Sequence, residues 1–243
     1  MTIGVYISYK ILDIADLSVD GSICTGACVC VVMLAAGNPI WLCMLAAVIT
    51  GALAGVLTGL FHTALGIPAI LPGILTQLIL YSVNLAILGG KSLIAIDIRS
   101  ADLLLHMSNN PMAIFAAGLI IALAITVLWL FFYTEIGLTI KSTGDNPHMS
   151  RAQGVNVNLN KVIGLAISNG IAALAGALLA QYKGSANIND GRGAIVIGLA
   201  AIFIGLSVSL KIKPNFVCSL IGLIGGGAAW YYRRKKKKEA EAE

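Results

Sequence analysis

Three aspartates near the start of the chain have a spacing that suggests a shared chemical role. Asp13, Asp16 and Asp20 are separated by three and four positions, which places side chains on one face of a helix. Carboxylates at membrane depth are costly and usually functional, so this trio could receive a substrate amine or shape an aqueous vestibule. An exposed acidic turn, supported by Gly21, is the alternative. Uncharged polar residues within apolar stretches could bond a substrate or a neighbouring helix: Gln77, Asn84 and Asn169.

The sequence contains no arrangement typical of an enzyme. Its histidines, His62, His106 and His148, are scattered, and no nucleophile, base and orienting acid recur at a suggestive spacing. The phosphate-binding pattern Gly-x-x-x-x-Gly-Lys-Ser/Thr is absent, so we expect no nucleotide site and no cofactor in this chain. The cysteines do not have zinc-site spacing and are expected to be small packing residues: Cys24, Cys28, Cys30, Cys43 and Cys218.

The composition places these polar residues in a membrane protein. Of 243 residues, 58% are hydrophobic and 11% are charged, whereas a soluble domain carries about 25% charged residues. Residues 112–133 and 162–182 contain no charged side chain, and about 20 such residues cross the hydrocarbon core as a helix. The net charge of +5 comes mainly from the basic run at 233–238, which suits a lipid surface and indicates no nucleic-acid partner.

The apolar segments predict an all-α integral membrane protein, a polytopic bundle of about seven transmembrane helices. The predicted spans are 23–36, 40–62, 67–88, 112–133, 162–182, 194–210 and 216–232. Residues 1–232 then form a single transmembrane domain, and residues 233–243 form a charged tail. Small residues repeat on helix faces, as at Gly51, Gly55 and Gly59, which predicts close helix packing and no wide pore.

Residues 66–73 read Gly-Ile-Pro-Ala-Ile-Leu-Pro-Gly and should interrupt a helix at Pro68 and Pro72. A broken or re-entrant helix is tolerated in a membrane only where protein or a water-filled cavity meets the freed backbone groups. Such breaks often form substrate sites in transporters. We therefore expect at least one broken or re-entrant segment, with a turn at the membrane surface as the plainer alternative.

Two polar connections, 89–111 and 134–161, determine the expected orientation. The second has the stronger basic excess, so the positive-inside rule places it in the cytoplasm. Residues 89–111 and 183–192 then face outward. Counting the membrane crossings forward from there places the basic tail outside, against the positive-inside rule. Either 194–210 or 216–232 then fails to cross fully, or the C-terminus is not in its natural form.

The segment from Glu135 to Val157 reads Glu-Ile-Gly-Leu-Thr-Ile-Lys-Ser-Thr-Gly-Asp-Asn-Pro-His-Met-Ser-Arg-Ala-Gln-Gly-Val-Asn-Val. It resembles the cytoplasmic coupling loop of the permeases of bacterial ABC importers, in the branched-chain amino acid and ribose permease superfamily. Further stretches resemble the amino-acid-importer-like branch: Asp-Leu-Ser-Val-Asp-Gly-Ser at 16–22, Pro-Gly-Ile-Leu-Thr at 72–76 with Leu-Tyr-Ser-Val-Asn at 80–84, and Gly-Arg-Gly-Ala-Ile-Val-Ile-Gly-Leu-Ala at 191–200. The resemblance covers about residues 4–205.

The resemblance implies a permease subunit that moves a small polar solute, by analogy an amino acid or a related compound, across a bacterial inner membrane. It also implies a second permease, an extracytoplasmic substrate-binding lipoprotein, and ATPase subunits that hold the ATP and Mg²⁺. The residues expected to couple to the ATPase are Gly137, Thr143, Gly144, Asp145, Asn146, Pro147, Arg151 and Gly154. Those expected along the translocation pathway are Asp16, Asp20, Pro68, Pro72, Gln77, Asn84 and Asn169.

The residues of the loop agree with a coupling role. A short helix over about 147–154 would form a compact projection, capped by Asn146 and begun by Pro147. Arg151 could then pair with an acidic rim on the ATPase. The alternative is an ordinary basic loop that only orients the protein.

Two other functions fit parts of the sequence. An ATPase-independent secondary carrier or channel would use the three aspartates and the segment near Pro68 equally well. A non-transporting, truncated membrane scaffold fits the ends of the chain, because relatives usually have a full helix before Asp16 and a further helix where the basic tail stands. Replacing Arg151 or Gly144 should abolish ATPase association only in an ABC permease.

Overall fold

The computed structural model describes residues 1–95 and 111–208, and the side chains of all of these except 111–117 and 205–208. The predicted span 216–232, the charged tail, His106 and Cys218 lie outside this part of the chain. The helices are α1 (Thr2–Tyr6), α2 (Val19–Ala35), α3 (Ile40–Thr63), α4 (Ile70–Ile87), α5 (Pro111–Tyr133), α6 (Glu135–Asp145), α7 (Pro147–Ala152), α8 (Val157–Lys183) and α9 (Ala194–Val208). A π-helical segment, Ile7–Ile11, continues α1, and two strands are present, β1 (Leu93–Ala95) and β2 (Ser185–Asn187).

Among the described residues, three helices are long and apolar enough to cross a membrane, namely α3, α4 and α8. A fourth span results if the bent pair α5–α6 is counted as one. α2 and α9 are apolar but have only 17 and 15 residues, short of the 20 or so that a perpendicular crossing needs. The helical membrane architecture is therefore confirmed, and the count of about seven spans stays a prediction.

α8 lies at the centre of the bundle, and glycines allow its neighbours to approach it closely. A side chain at Gly51, Gly55 or Gly59 of α3 would collide with the backbone or side chains of α8. Gly26 of α2 lies against the Ala173 carbonyl in the same way. Without a hydrophobic drive between helices in lipid, close backbone contact supplies the packing energy, and the predicted role of the small residues is confirmed.

A two-stranded antiparallel sheet corrects the all-α prediction. β1 pairs with β2, with Ile94 opposite Ala186. The pairing places the connection after α4 and the connection after α8 on the same end of the bundle, as the orientation predicted for 89–111 and 183–192 requires. Buried cysteines of α2 and α3 pack beneath this end, which confirms their packing role: Cys24, Cys28, Cys30 and Cys43.

Residues 64–69 form a connection between two helices, not a break within one. α3 ends at Thr63 and α4 begins at Ile70, so the span predicted at 67–88 starts three residues early. Pro72 lies in the first turn of α4, where its missing amide hydrogen costs no helical hydrogen bond. The sharp bend in the described chain lies elsewhere, between α5 and α6.

Candidate functional site

The segment predicted to couple to an ATPase folds as two helices, α6 and α7, which follow a sharp bend at the end of α5. The axes of α5 and α6 differ by 79°. The Gly137 amide donates a hydrogen bond to the Thr134 hydroxyl (3.3 Å), which caps α6. Gly137 also lies so close to the Phe131 carbonyl that a side chain would collide. Glycine at this position therefore makes the tight bend sterically feasible.

α7 is a six-residue helix with well-formed ends. The Asn146 side-chain oxygen accepts hydrogen bonds from the amides of His148 (3.1 Å) and Met149 (3.0 Å), and Pro147 occupies the first helical position. At the other end, Gly154 has φ +80°, and the amides of residues 154 and 155 donate to the carbonyls of 151 and 150. This pair of backbone hydrogen bonds is a Schellman motif, which favours glycine at the position of Gly154. The predicted helix and its cap are confirmed.

We refer to α6 and α7 together as the knob. The Ser150 hydroxyl donates to the Ser142 hydroxyl (3.3 Å), which holds α7 on α6. The Asn160 amide group donates to the buried Thr143 hydroxyl (3.1 Å), which fastens α6 to the beginning of α8. Gly144 lies directly against the backbone at the end of the π-helical segment. The knob is thus held together internally by one hydrogen bond and attached at two points to the rest of the molecule, α8 and the end of the π-helical segment.

The tip of the knob is exposed. Asp145, Asn146, His148 and Arg151 are accessible, and Met149 is 61% exposed. One acidic, one basic and one large apolar side chain therefore share a small protruding surface. A protruding, internally bonded surface of this kind is suited to docking against another protein, because little ordering of its backbone is needed on binding.

A second set of polar groups is buried near the middle of α8. Asp16 is 2% exposed. One of its carboxylate oxygens accepts from the Ser18 amide (2.8 Å) and hydroxyl (2.6 Å), and the other accepts from the Asn169 side-chain amide (2.7 Å). The Ser22 hydroxyl donates to the Asn169 side-chain oxygen (2.6 Å). This cluster ties the segment before α2 to the centre of α8.

Asp20 makes a different connection. One carboxylate oxygen accepts from the Gly193 amide (2.9 Å) and the other from the Ile195 amide (2.8 Å). Those amides lie at the N-terminus of α9, where the first helical N–H groups have no partner within the helix. Asp20 therefore caps α9 from α2, and its negative charge also suits the positive end of the helix dipole.

The prediction that three aspartates share one helical face is wrong. Asp13 has φ +54° and Asp16 also lies in the non-helical stretch between the π-helical segment and α2. The alternative, an exposed acidic turn, holds for Asp13 alone, since Asp16 and Asp20 are 2% and 9% exposed. In the structure Asp16 is hydrogen-bonded to Asn169, whereas Asp20 is hydrogen-bonded to the beginning of α9.

A sequence profile described as "Branched-chain amino acid transport system / permease component" matches residues 1–232. The chain belongs to this family. It is 37% identical over 212 residues to the tyrosine transport system permease protein of Clostridioides difficile strain R20291, covering 87% of this chain and 70% of that protein. It is 32% identical over 194 residues to the autoinducer 2 import system permease protein LsrC of Yersinia pseudotuberculosis, covering 78% of this chain and 54% of that protein. No solved structure matches the chain.

This membership confirms the resemblance to the permeases of ABC importers, a family of transport components rather than enzymes. Across residues 1–95 and 111–208, no group of three or more His, Cys, Asp or Glu side chains is placed to hold a metal ion. Most of the polar groups described above fasten helices to one another, and those at the tip of the knob are exposed.

The remaining pathway candidates of the permease are spread along α4 and the connection before it. Pro68 is exposed in the α3–α4 connection, whereas Pro72 is buried in the first turn of α4. Gln77 is half-buried beside the backbone of α2, and Asn84 is 1% exposed one turn before the end of α4. Within the described part of the chain, the Asn84 side-chain oxygen has no hydrogen-bond partner. These residues do not converge on one point.

The sequence interpretation missed four polar residues. Ser18 and Ser22 lie inside the stretch 16–22 and could have been found from that motif. His62 and Lys161 are hydrogen-bonded to one another (3.2 Å) although 99 positions separate them, so no local pattern could have paired them. α6 was also missed, although Thr134 followed by an acidic residue is a typical helix start.

Proposed function

We propose that this chain is the membrane-spanning permease subunit of an ABC importer in a bacterial inner membrane. It crosses the membrane several times, pairs with a second permease and receives its solute from an extracytoplasmic binding protein. Separate ATPase subunits dock on the knob and supply the energy. The observation that carries the proposal is the knob itself, two capped helices whose exposed tip lies near one end of α8.

The position of the knob supports a cytoplasmic docking role. α8 has 27 residues and is therefore about 40 Å long, with the knob at its start and β2 after its end. The two ends of the bundle thus lie on opposite sides of a bilayer-sized helix. The knob carries the basic residues that the positive-inside rule assigns to the cytoplasm, including Lys141 and Arg151.

We propose an amino acid as the transported solute, with tyrosine the first to test. The Clostridioides difficile relative named for tyrosine transport is more similar to this chain, and is covered more fully, than the relatives named for autoinducer 2 import. Family likeness alone does not determine a ligand, so the solute requires a direct measurement.

A capture experiment tests the docking role. The full chain in nanodiscs should capture a candidate ATPase subunit, and Arg151→Glu should lose capture because it reverses the charge on the exposed tip. Arg192→Glu is the matched control, since Arg192 is an equally exposed arginine in the loop after β2. Equal loss in both variants would indicate a non-specific charge effect and would contradict the docking role of α7.

Transport in proteoliposomes tests the rest of the proposal. With the ATPase and binding protein present, we expect tyrosine uptake that requires ATP and disappears with Arg151→Glu. Uptake that continues without nucleotide would instead support a secondary carrier or channel. Absence of uptake for every amino acid, with no ATPase captured by the unaltered chain, would support a scaffold.

A further inference from the structure

His62 is bonded on both sides of its ring and joins two parts of the bundle. Its Nδ1 lies 2.9 Å from the Ile67 carbonyl oxygen, and its Nε2 lies 3.2 Å from the Lys161 Nζ. A carbonyl can only accept, and an ammonium group can only donate. An ammonium donor at Lys161 pairs with the tautomer that carries its proton on Nδ1, which donates to Ile67 and accepts from Lys161. The last turn of α3, the α3–α4 connection and the beginning of α8 are thereby held together.

The same stretch of α8 also holds the knob. Asn160, the neighbour of Lys161, donates to Thr143 of α6 (3.1 Å). Two consecutive residues of α8 thus reach in different directions, one to the knob and one to His62 in the last turn of α3. The α3–α8 contact is tight here, because Gly59 lies directly against the backbone of Val162. The knob is therefore fastened to the residue next to the Lys161–His62 contact.

The α3–α4 connection in turn leads into a closely packed part of α4. The connection is short, residues 64–69, and Pro68 and Pro72 restrict its backbone on either side of the start of α4. In the first turn of α4, Gly73 packs on the Leu17 backbone and lies near the Asp16 carboxylate. The series of contacts that begins at the knob therefore ends at the buried cluster of Asp16.

The orientation of Lys161 is informative in itself. A lysine near the end of a membrane helix ordinarily extends its ammonium group toward water or lipid headgroups. Lys161 is only partly exposed and is directed to an imidazole acceptor on another helix. The geometry points to a specific link between helices.

We propose that Lys161 and His62 are positioning residues that transmit the movement of the knob to the α3–α4 connection and to α4. The proposal rests on the proposed function, because it takes the movement of the knob to be driven by a docked ATPase. Neither residue touches the solute in this proposal. Loss of their hydrogen bond should uncouple α4 from the knob without preventing ATPase docking.

Fluorescent labels at two exposed positions test the link directly. Leu138→Cys labels the knob away from its tip and Leu65→Cys labels the α3–α4 connection, since these side chains are 55% and 63% exposed. The cysteines at 24, 28, 30 and 43 are buried and should react slowly, and Cys218→Ser removes the fifth. The labelled full chain, in nanodiscs with the ATPase that it captures, is treated with Mg-ATP and vanadate.

In the otherwise unaltered chain, both labels should respond to nucleotide. Lys161→Met keeps the length of the side chain but removes its donor, so the label at position 138 should respond and the label at 65 should not. We expect ATP-dependent uptake to fall about tenfold, the effect of losing one charged hydrogen bond that selects a state, and capture to change less than about twofold. Lys183→Met is the matched control, because Lys183 pairs with Asp190 at the far end of α8.

His62 supplies an independent check that does not depend on Lys161 variants folding. A glutamine side chain in place of the imidazole could donate to Ile67 and accept from Lys161. His62→Gln should therefore keep the response at position 65, whereas His62→Leu should lose it. A response at 65 that persists in both Lys161→Met and His62→Leu would overturn the proposal. If the unaltered chain captures no ATPase, or its label at 138 does not respond, the proposed function itself fails and this link fails with it.

Discussion

Asp16→Asn is a sharp test of the buried polar cluster, because it changes the charge and hydrogen-bonding capacity of the side chain while keeping its shape. Three donors converge on the carboxylate, the Ser18 amide, the Ser18 hydroxyl and the Asn169 side-chain amide. An asparagine offers one acceptor oxygen, so its own NH₂ group must face a donor. The hydroxyl of Ser18 can turn away, but the Asn169 amide can meet the new NH₂ group favourably only by flipping, which gives up its hydrogen bond to the Leu165 carbonyl.

The magnitude follows from the count of lost bonds. A hydrogen bond to a charged group contributes about 1.5–3 kcal/mol, and an unsatisfied buried donor costs about 1–3 kcal/mol. Removing a buried charge recovers part of this loss. We therefore expect Asp16→Asn to lower the free energy of unfolding by about 2–3 kcal/mol. For a chain of this size the melting temperature should fall by about 5–10 °C.

Thermal unfolding in matched detergent, compared among three variants, measures the effect. Asp13→Asn is the control, because Asp13 is exposed and asparagine tolerates its positive φ; its change should stay within about 0.5 kcal/mol. The double variant Asp16→Asn with Asn169→Asp exchanges the carboxylate and the amide and should recover part of the loss. If Asp16→Asn melts within about 2 °C of Asp13→Asn, the assigned hydrogen-bond network is wrong.

Three further changes test other parts of the molecule. Gly26→Ala should destabilise the fold by about 1–3 kcal/mol, because its new methyl group meets the backbone of α8. Gly118→Ala is the control: no described atom lies near its new methyl group, so the melting temperature should change little or rise. Asn146→Ala should weaken α7 by about 1 kcal/mol, visible as faster hydrogen exchange at 147–152 with the melting temperature almost unchanged; unaltered exchange would contradict the cap. Asp20→Ala should leave two amides at the start of α9 unpaired and lower the free energy of unfolding by about 2–4 kcal/mol, with faster hydrogen exchange at 193–195. A melting temperature equal to that of the unaltered chain would contradict this cap.

Local features of the chain were predictable where one rule governs them. Asn146 followed by proline predicts a helix start, and α7 begins there. The four-residue spacing of Gly51, Gly55 and Gly59 predicts a close-packed face, and α8 lies against it. Both patterns act within one helix, so no knowledge of the tertiary arrangement is needed.

Features that depend on where a helix begins or on distant partners were not predictable. The spacing of the aspartates implies one face only if a single helix contains them, and the chain turns at Asp13 instead. The partners of Asp20 and His62 lie 173 and 99 positions away. A hydrophobicity pattern contains no information about such pairs, because it reports which segments are apolar and not which of them meet.

The two buried aspartates also bear on how this permease could bind its solute. α2 and α9 are short helices whose first N–H groups lie inside an apolar bundle, where an unpaired donor is costly. In many transporters such exposed helix N-termini bind the anionic group of the substrate. Here Asp16 accepts a hydrogen bond from the amide just before α2, and Asp20 accepts hydrogen bonds from two amides at the start of α9.

Because these helix ends are already neutralised by the chain's own carboxylates, a substrate carboxylate gains little there. The role of Asp16 and Asp20 favoured by the geometry is to stabilise the beginnings of α2 and α9. Among the predicted pathway residues, the better candidates for contact with a solute amine are then the half-buried Gln77 and Asn84, whose side-chain oxygen has no partner among the described residues.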